Sequence, residues 1–516
     1  MHTDARELED NSLIEGDICI VGAGAAGLTM AVEWLNTPYR VVLLESGGFD
    51  YDDRVQELFR GQNTGQPYYP LKSTRLSYFG GSTGHWGGFC ALFDPIDFVS
   101  RDWVPHSGWP ITYDDVAAFY PRANLYLDLG HFDYSAEYWL KQNSEFVALP
   151  LKGDTVWNKM WRFSPPTRYG TKYRDTIVKA GNIALYTYAT LVEISANESV
   201  NSVRELVVKN YAGKTHRVRA RCFVLACNSI QNARVLLASN RQARNGLGND
   251  HDHVGRYWQE HVELKSADLW LDKPRPMGFY LRNRWAARAE LAISAAKQTE
   301  HRILNGTASL VPLPIAQKLK PVIESWSKDD PRAARDYMHE DQAQATPGRL
   351  TRFLRHNTYK AFELQTRMEQ APNPLSRVLL DTEKDELGVP RAILHWDLTP
   401  LDKRSIRVMY DLIGQELGAA GLGRVQLMDF LRNPEDLSWP SFTGGGWHHI
   451  GTTRMTDSPK TGVVDSDCRV FGIDNLYIAG DSCFPTGGAV NPTLTLVAIT
   501  LRLSDHLKQV LPALTA

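Results

Sequence analysis

The stretch from Asp17 to Glu45 constrains this chain more than any other. Residues 17–21 (DICIV) form an apolar, β-rich run too short for a helix and closed by glycine, the pattern of a strand buried on both faces. It leads directly into Gly22, Gly24 and Gly27 (GAGAAG), then a helical stretch over 28–35, then a second apolar run over 40–44 that ends on Glu45. Strand, glycine turn, helix and second strand make a βαβ unit, so the expected class is α/β with a Rossmann-type parallel sheet. The glycines let the backbone turn tightly and approach a diphosphate at the helix N-terminus, while Glu45 is placed to accept from ribose hydroxyls. An adenine dinucleotide is implied. A bare GxGxxG is often only a tight strand-helix junction; the acid in the right order raises it above that. After Glu45, Ser46-Gly47-Gly48 opens an irregular excursion where an NAD domain continues its alternation, which favours FAD.

At 516 residues the chain exceeds what one hydrophobic core supports, and two domains are expected. Lys plus Arg number 57 against 59 Asp plus Glu, and no basic run could track phosphates, so nucleic acid is not an expected partner. No stretch reaches the roughly 18 apolar residues of a membrane span, and residues 1–16 are acidic and polar where a signal peptide is basic then apolar, so a cytoplasmic protein is expected. The six cysteines are scattered without a CxxC or a His at ligand spacing. No metal site is expected.

Residues 61–88 are dense in Gly, Pro, Ser and Tyr and read as an extended loop region rather than helix or strand. Within them GGSTGHWGG (80–88) sets Gly81, Ser82, His85 and Trp86 among glycines that let backbone come close to a flat ligand. Residues 101–175 carry Trp103, Trp109, Trp139, Trp157 and Trp161 with little helical periodicity, and read as a wrapping segment with short helices. Strands are expected over 186–194, 203–208, 215–218 and 222–226, with a helix over 230–238. The 265–440 stretch holds a charged helical insertion at 314–345, a strand at 391–396 and a helix at 402–419.

The last 75 residues carry the most chemistry. His448 and Asn491 sit in loops beside an apolar strand at 476–479 that runs into Gly480-Asp481, and a final helix starts near Thr493, after Pro492. The positive end of that helix can face a delocalised anion such as a reduced flavin.

The ordered set GAGAAG, GGSTGHWGG, VGRYWQEH, EQAPNPLSRV, HHIGTTRM, NLYIAGDSCFP and NPTLT resembles the glucose-methanol-choline (GMC) family of FAD oxidoreductases, over residues 17–510. The resemblance implies an FAD domain of residues 1–100, 176–262 and 441–516 and a discontinuous, sheet-containing substrate domain of 101–175 and 263–440. It maps the family's catalytic histidine to His448, with His449 as the displaced neighbour, and its second polar residue to Asn491. His448 would take the hydroxyl proton while hydride leaves for the flavin, and the Asn491 amide would hold the reacting oxygen. His85 stands where the choline and pyranose oxidase branches bond histidine to the flavin, Asp481 where a carboxylate accepts from a ribityl hydroxyl, and Val192 where backbone crosses the adenine. The implied activity is oxidation of an alcohol group of a carbohydrate, glycoside or related polyol, nearest to the sugar-oxidising, pyranose oxidase-like branches, with O2 or another acceptor taking the electrons. The five tryptophans could offer stacking surfaces to sugar. A non-sugar alcohol or sterol, a non-redox FAD-containing lyase and a scaffold protein are the rival readings.

Overall fold

Four short apolar runs, VVLL, ICIV, CFVL and LYI, are buried throughout, as strands covered on both faces must be. With His2–Asp4 and Ile183–Thr187 they build a six-stranded parallel sheet in the order His2–Asp4, Ile183–Thr187, Val41–Leu44, Ile18–Val21, Cys222–Leu225 and Leu476–Ile478. Its central register pairs Ile18 with Val41 and Cys222, and Phe223 with Leu476. The helices Ala25–Glu33 and Thr493–Val510 pack against one another beside it. The computed structural model describes residues 1–281, 286–313 and 359–514, so the charged insertion expected at 314–345 lies outside the described residues.

The single strand expected over 186–194 is two strands. Tyr188 takes a left-handed conformation (φ 52°), its N–H donates to Gly47 O, and that of Ala189 donates to Glu45 O. The chain thereby leaves the parallel sheet after Thr187 and enters a second sheet, ordered Leu13–Glu15, Thr215–Arg219, Val203–Lys209 and Thr190–Ala196.

A seven-stranded sheet runs Gly423–Leu427, Val262–Arg275, Tyr359–Met368, Gly306–Pro312, Ala287–Ile293, Val156–Phe163 and Phe89–Cys90, with helix Pro400–Ala419 packed over it. Leu264, Leu269, Phe362, Met409 and Ile413 belong to the core between them. Val156–Phe163 (VWNKMWRF) corrects the reading of 101–175 as wrapping loops and short helices. Its Asn, Lys and Arg hide the apolar signal, yet Lys159 is paired with Asp94 at 2.5 Å and Arg162 donates to the carbonyls of Leu129 and His131, so a buried strand tolerates them.

Gly61–Gly65 is likewise a strand where a loop was expected. GQNTG has no apolar residue, and its pairing is supplied by Pro390–Trp396, parallel to it in a three-stranded sheet with Arg377–Lys384. The hairpin 377–396 falls in the expected substrate segment, yet its Val378, Leu394 and Trp396 join the core that includes the parallel sheet. Among the described residues no helix is long and apolar enough to cross a membrane.

Candidate active site

A cavity of about 470 Å³ opens at the C-terminal ends of the parallel strands, where α/β sheets place ligands, and reaches Glu263 and Arg367 on the seven-stranded sheet. At one end it is walled by backbone. Gly22 has φ +101°, and a Cβ there would lie 2.6 Å from Ala226 O; one on Gly27 would lie 1.8 Å from Gly22 O. Gly24 differs, for a Cβ there meets no protein atom within 4 Å and Gly24 lines the cavity at the helix N-terminus. Glu45 Oε2 accepts from Ala23 N (2.9 Å) and Oε1 from Gly47 N (3.0 Å), so the carboxylate ties the two glycine turns together. Burial raises its pKa.

Ala189, Thr190 and Leu191 line this end. Val192 does not; it packs with Val55, Leu58 and Leu387. Gly27 is also absent from the cavity wall, its work being the close helix-strand approach. Farther along, Gly480 (φ +119°) delivers Asp481 to the wall, where burial pushes the carboxyl up to about 7 against hydrogen bonds from its own and the Ser482 backbone.

The loop 80–88 is pinned by Gly80 N donating to Ala23 O (2.8 Å) and by Arg168, which donates to Thr83 O (2.7 Å) and Trp86 O (2.9 Å). Gly81, Ser82, His85 and Trp86 all face the cavity. Burial takes His85 down to about 3, and its Nδ1 finds no hydrogen-bond partner among the described residues. Across from it stands Trp447, ring centroids 5.2 Å apart.

His448 and Asn491 meet, with Nδ2 of Asn491 2.7 Å from Nε2 of His448, while Asn491 Oδ1 is buried without a partner among the described residues. Pro492 and Thr493 continue the wall as the last long helix begins. Burial, with His261, Arg367 and His449 nearby, holds His448 well below the usual histidine range. His449 turns the other way, as neighbours on extended chain do, and its Nε2 lies 3.0 Å from Tyr68 Oη. It is still part of the wall. None of Trp103, Trp109, Trp139, Trp157 and Trp161 lines the cavity; Trp109, Trp139 and Trp161 are buried core residues and Trp103 packs against one core, so the expected sugar-stacking surfaces are not at this site.

Several residues here carried no assigned role in the sequence. Antiparallel bridges Gln259 to Ile450 and Glu263 to Gly444 lay the 259–263 segment along the histidine loop. Glu260, fully shielded, accepts from the backbone N–H of His448 (2.9 Å), His261 (2.9 Å) and Gly446 (3.2 Å) and from Tyr68 Oη (2.6 Å). A Cβ on Gly445 would fall 2.1 Å from Glu260 Cγ, so Gly444-Gly445-Gly446 is the turn that fits around this carboxylate. His261 Nδ1 lies 2.9 Å from His448 Nδ1. Arg367 donates to Glu263 Oε1 (2.7 Å) at the cavity wall. The VGRYWQEH motif was the available signal for Glu260 and His261, but it says nothing about what they touch.

The donor set fits FAD. Gly24 leaves room at a helix N-terminus, Asn491 Oδ1 and Asp481 offer acceptors, and Arg75 brings a buried guanidinium that donates to Asn228 Oδ1, Phe59 O and Leu71 O and has an Nε without a partner among the described residues. Burial and Arg234 push Arg75 down to about 9, a cation that a diphosphate would stabilise.

Comparison with known proteins gives the same answer. Residues 17–357 match the family described as FAD dependent oxidoreductase and residues 372–500 that described as GMC oxidoreductase. Paromamine 6'-oxidase of Streptomyces fradiae is 29% identical over 97% of this chain and 92% of its own length. Pyranose 2-oxidase of Tricholoma matsutake is 25% identical over 61% of this chain and 51% of its own. Pyridoxine 4-oxidase from Mesorbium loti shares the fold, with a TM-score of 0.55 at 18% identity, covering 96% of this chain and 99% of that one. Family matches across most of the chain, set on a cavity built for a dinucleotide, make this protein an FAD-dependent oxidoreductase of the GMC family.

Proposed function

We propose that this enzyme oxidises an alcohol group of a carbohydrate, glycoside or related polyol to a carbonyl, with His448 as general base and Asn491 as the group that holds the reacting oxygen. The observation that carries the reading is the pair itself: a neutral, buried imidazole and a side-chain amide 2.7 Å apart in the wall of a dinucleotide cavity. His448 Nε2 takes the hydroxyl proton, for which a neutral imidazole is required. When bound, FAD supplies the acceptor for the hydride that leaves the carbon. The Asn491 amide hydrogen-bonds the oxygen as charge develops on it, and the preorganised loop spares the site a reorganisation at that moment. Glu263 and Arg367, at the far wall, are a polar pair suited to a many-hydroxyl substrate. The names of the relatives, paromamine 6'-oxidase and pyranose 2-oxidase, support the carbohydrate class. The reduced enzyme returns its electrons to O2 or another acceptor.

His85 belongs to the proposal as the site of a covalent bond to the cofactor: its neutral, shielded imidazole at the cavity wall is the nucleophilic form, and in adding to the flavin 8α carbon it would displace a proton of that methyl group, the electron pair passing to the flavin ring and then to O2 or another acceptor. Flavin fluorescence that stays with the denatured chain and is lost in His85→Ala supports the bond; FAD released free from the wild type removes it. The test of the activity is anaerobic mixing with sugars, glycosides and aliphatic alcohols while the flavin band is followed. Bleaching by sugars supports the reading, bleaching by aliphatic alcohols alone transfers it to another substrate class, and no bleaching by any alcohol overturns it.

A further inference from the structure

We infer that His261 is a positioning residue that fixes the His448 imidazole in its Nδ1–H tautomer and so reserves Nε2 as the proton acceptor. The inference rests on the reading of His448 as the base. Its starting point is a pair of carbonyl groups. His261 Nε2 lies 2.9 Å from Gly488 O and 3.2 Å from Gly487 O, and a carbonyl oxygen only accepts, so Nε2 carries the hydrogen. Burial drives His261 down to about 3, so the ring is neutral and its Nδ1 is a bare lone pair. The neighbour of that lone pair, at 2.9 Å, is His448 Nδ1, which must therefore donate. With His448 also neutral, its Nε2 is left without hydrogen, and the Asn491 amide N–H points at it from 2.7 Å.

The opposite tautomer is excluded from the far end of the chain. It would aim the His261 Nε2 lone pair at two carbonyl oxygens, and turning over the Asn491 amide would not relieve that. Neither Glu260 nor Arg367 competes for the Nδ1 hydrogen: Glu260, whose carboxyl burial pushes up to about 8, has Oε1 3.9 Å from His448 Nδ1 and occupied by backbone N–H groups, while Arg367 only donates and is held by Glu263. When His448 accepts a proton at Nε2, the imidazolium keeps its Nδ1–H bonded to His261, whose Nε2–H rests on the Gly487–Gly488 carbonyls, and only the Asn491 amide turns its N–H from Nε2 to the reacting oxygen.

The same cluster has a second physical reading. Glu260, His261 and His448 bring three ligand atoms within 4.8 Å of one another, as a divalent cation would require. A metal would need both Nδ1 lone pairs, hence the other His448 tautomer. The 2.9 Å between the two nitrogens is also shorter than the roughly 3.3 Å between neighbouring ligands of a tetrahedral zinc. Hydrogen bonding fits the distance better.

The experiment uses the FAD-loaded enzyme labelled with 15N-histidine, the His448 signals being assigned by their disappearance in His448→Gln. A pyridine-type Nε2 and a pyrrole-type Nδ1 are expected; the reverse pattern overturns the inference, as does a stoichiometric zinc ion retained through dialysis. In stopped flow, His261→Leu should slow flavin reduction about 10–100-fold with FAD still bound, and His261→Asn, which restores an acceptor near the Nδ1 position, should recover most of that loss. Equal rates in the two variants, or a wild-type rate in His261→Leu, overturn it. If His261→Leu does not fold, the wild-type spectrum and the Asn variant still decide. A near-wild-type rate in His448→Ala is a different failure, since it removes the base assignment itself.

Discussion

The two ends of the cavity are built on opposite principles. At the nucleotide end the contacts are backbone: Gly22, Gly24 and Gly27 shape the turn, Glu45 ties two loops by their N–H groups, and residues 189–191 lead into a strand. At the other end the contacts are side chains drawn from segments far apart in sequence, His448 with Asn491, His261 with His448, and Tyr68 with Glu260. A backbone site fails when a side chain is added, because space disappears. A side-chain site fails when one is removed, because a donor or a lone pair disappears. Binding and chemistry should therefore separate under mutation.

The largest effect expected is at the chemical end. His448→Ala should lower the rate of flavin reduction by about 10²–10⁴-fold while FAD stays bound, as read by stopped flow and by the flavin spectrum. Loss of FAD in this variant would break the separation. The same experiment across pH sharpens it. Since His448 is depressed below the free histidine value, the wild-type rate should hold level as pH falls through 6.5 and drop only below it, and the stability that neutral His448 contributes is lost over the same acid range. A limb centred at or above 6.5 would assign the rate to another group.

Asn491→Ala should come next, at roughly 10²-fold, because it removes one donor from the reacting oxygen and leaves the base. Gly24→Val reverses the pattern. It should weaken FAD affinity about tenfold or more by titration of the apo-protein, with little change in melting temperature, since its Cβ meets no protein atom. The smallest effect on rate belongs to His449→Ala, expected below tenfold. This buried ring, with its bond to Tyr68, should show itself instead as a loss of stability of about 1–3 kcal/mol in denaturant unfolding. A loss at His449 larger than at His448 would mean the two roles are exchanged.

The same contrast explains what could be seen in the sequence. The parallel sheet and its glycine turn were legible because burial on both faces writes an apolar run and a diphosphate writes glycines, and both are local. Helix Thr493–Val510 starts where it was expected for the same reason. Gly61–Gly65 was not legible, because its partner strand at 390–396 supplies the order that its own side chains do not. Nor was Val156–Phe163, whose lysine and arginine are satisfied by Asp94 and by carbonyls that no pattern in the strand announces. His448 and Asn491 could be named through family resemblance, but Glu260 and His261 acquire meaning only once bridges to Ile450 and Gly444 lay them beside the histidine loop.

Strand Leu476–Ile478 has a consequence for how the protein is made. It completes the parallel sheet by pairing with Cys222–Leu225, and Asp481, Asn491 and the last long helix follow it. On the ribosome the glycine turn and Glu45 emerge early, yet the sheet edge that will carry Asp481 is still untranslated for on the order of a minute at ordinary elongation rates. From its own synthesis until Leu476–Ile478 follows, Cys222–Leu225 is an open apolar edge, a template for wrong pairing and a natural client for a chaperone. Cofactor loading therefore belongs to the end of synthesis or after it, and supplying FAD during translation should raise the yield of native enzyme less than supplying a holdase does.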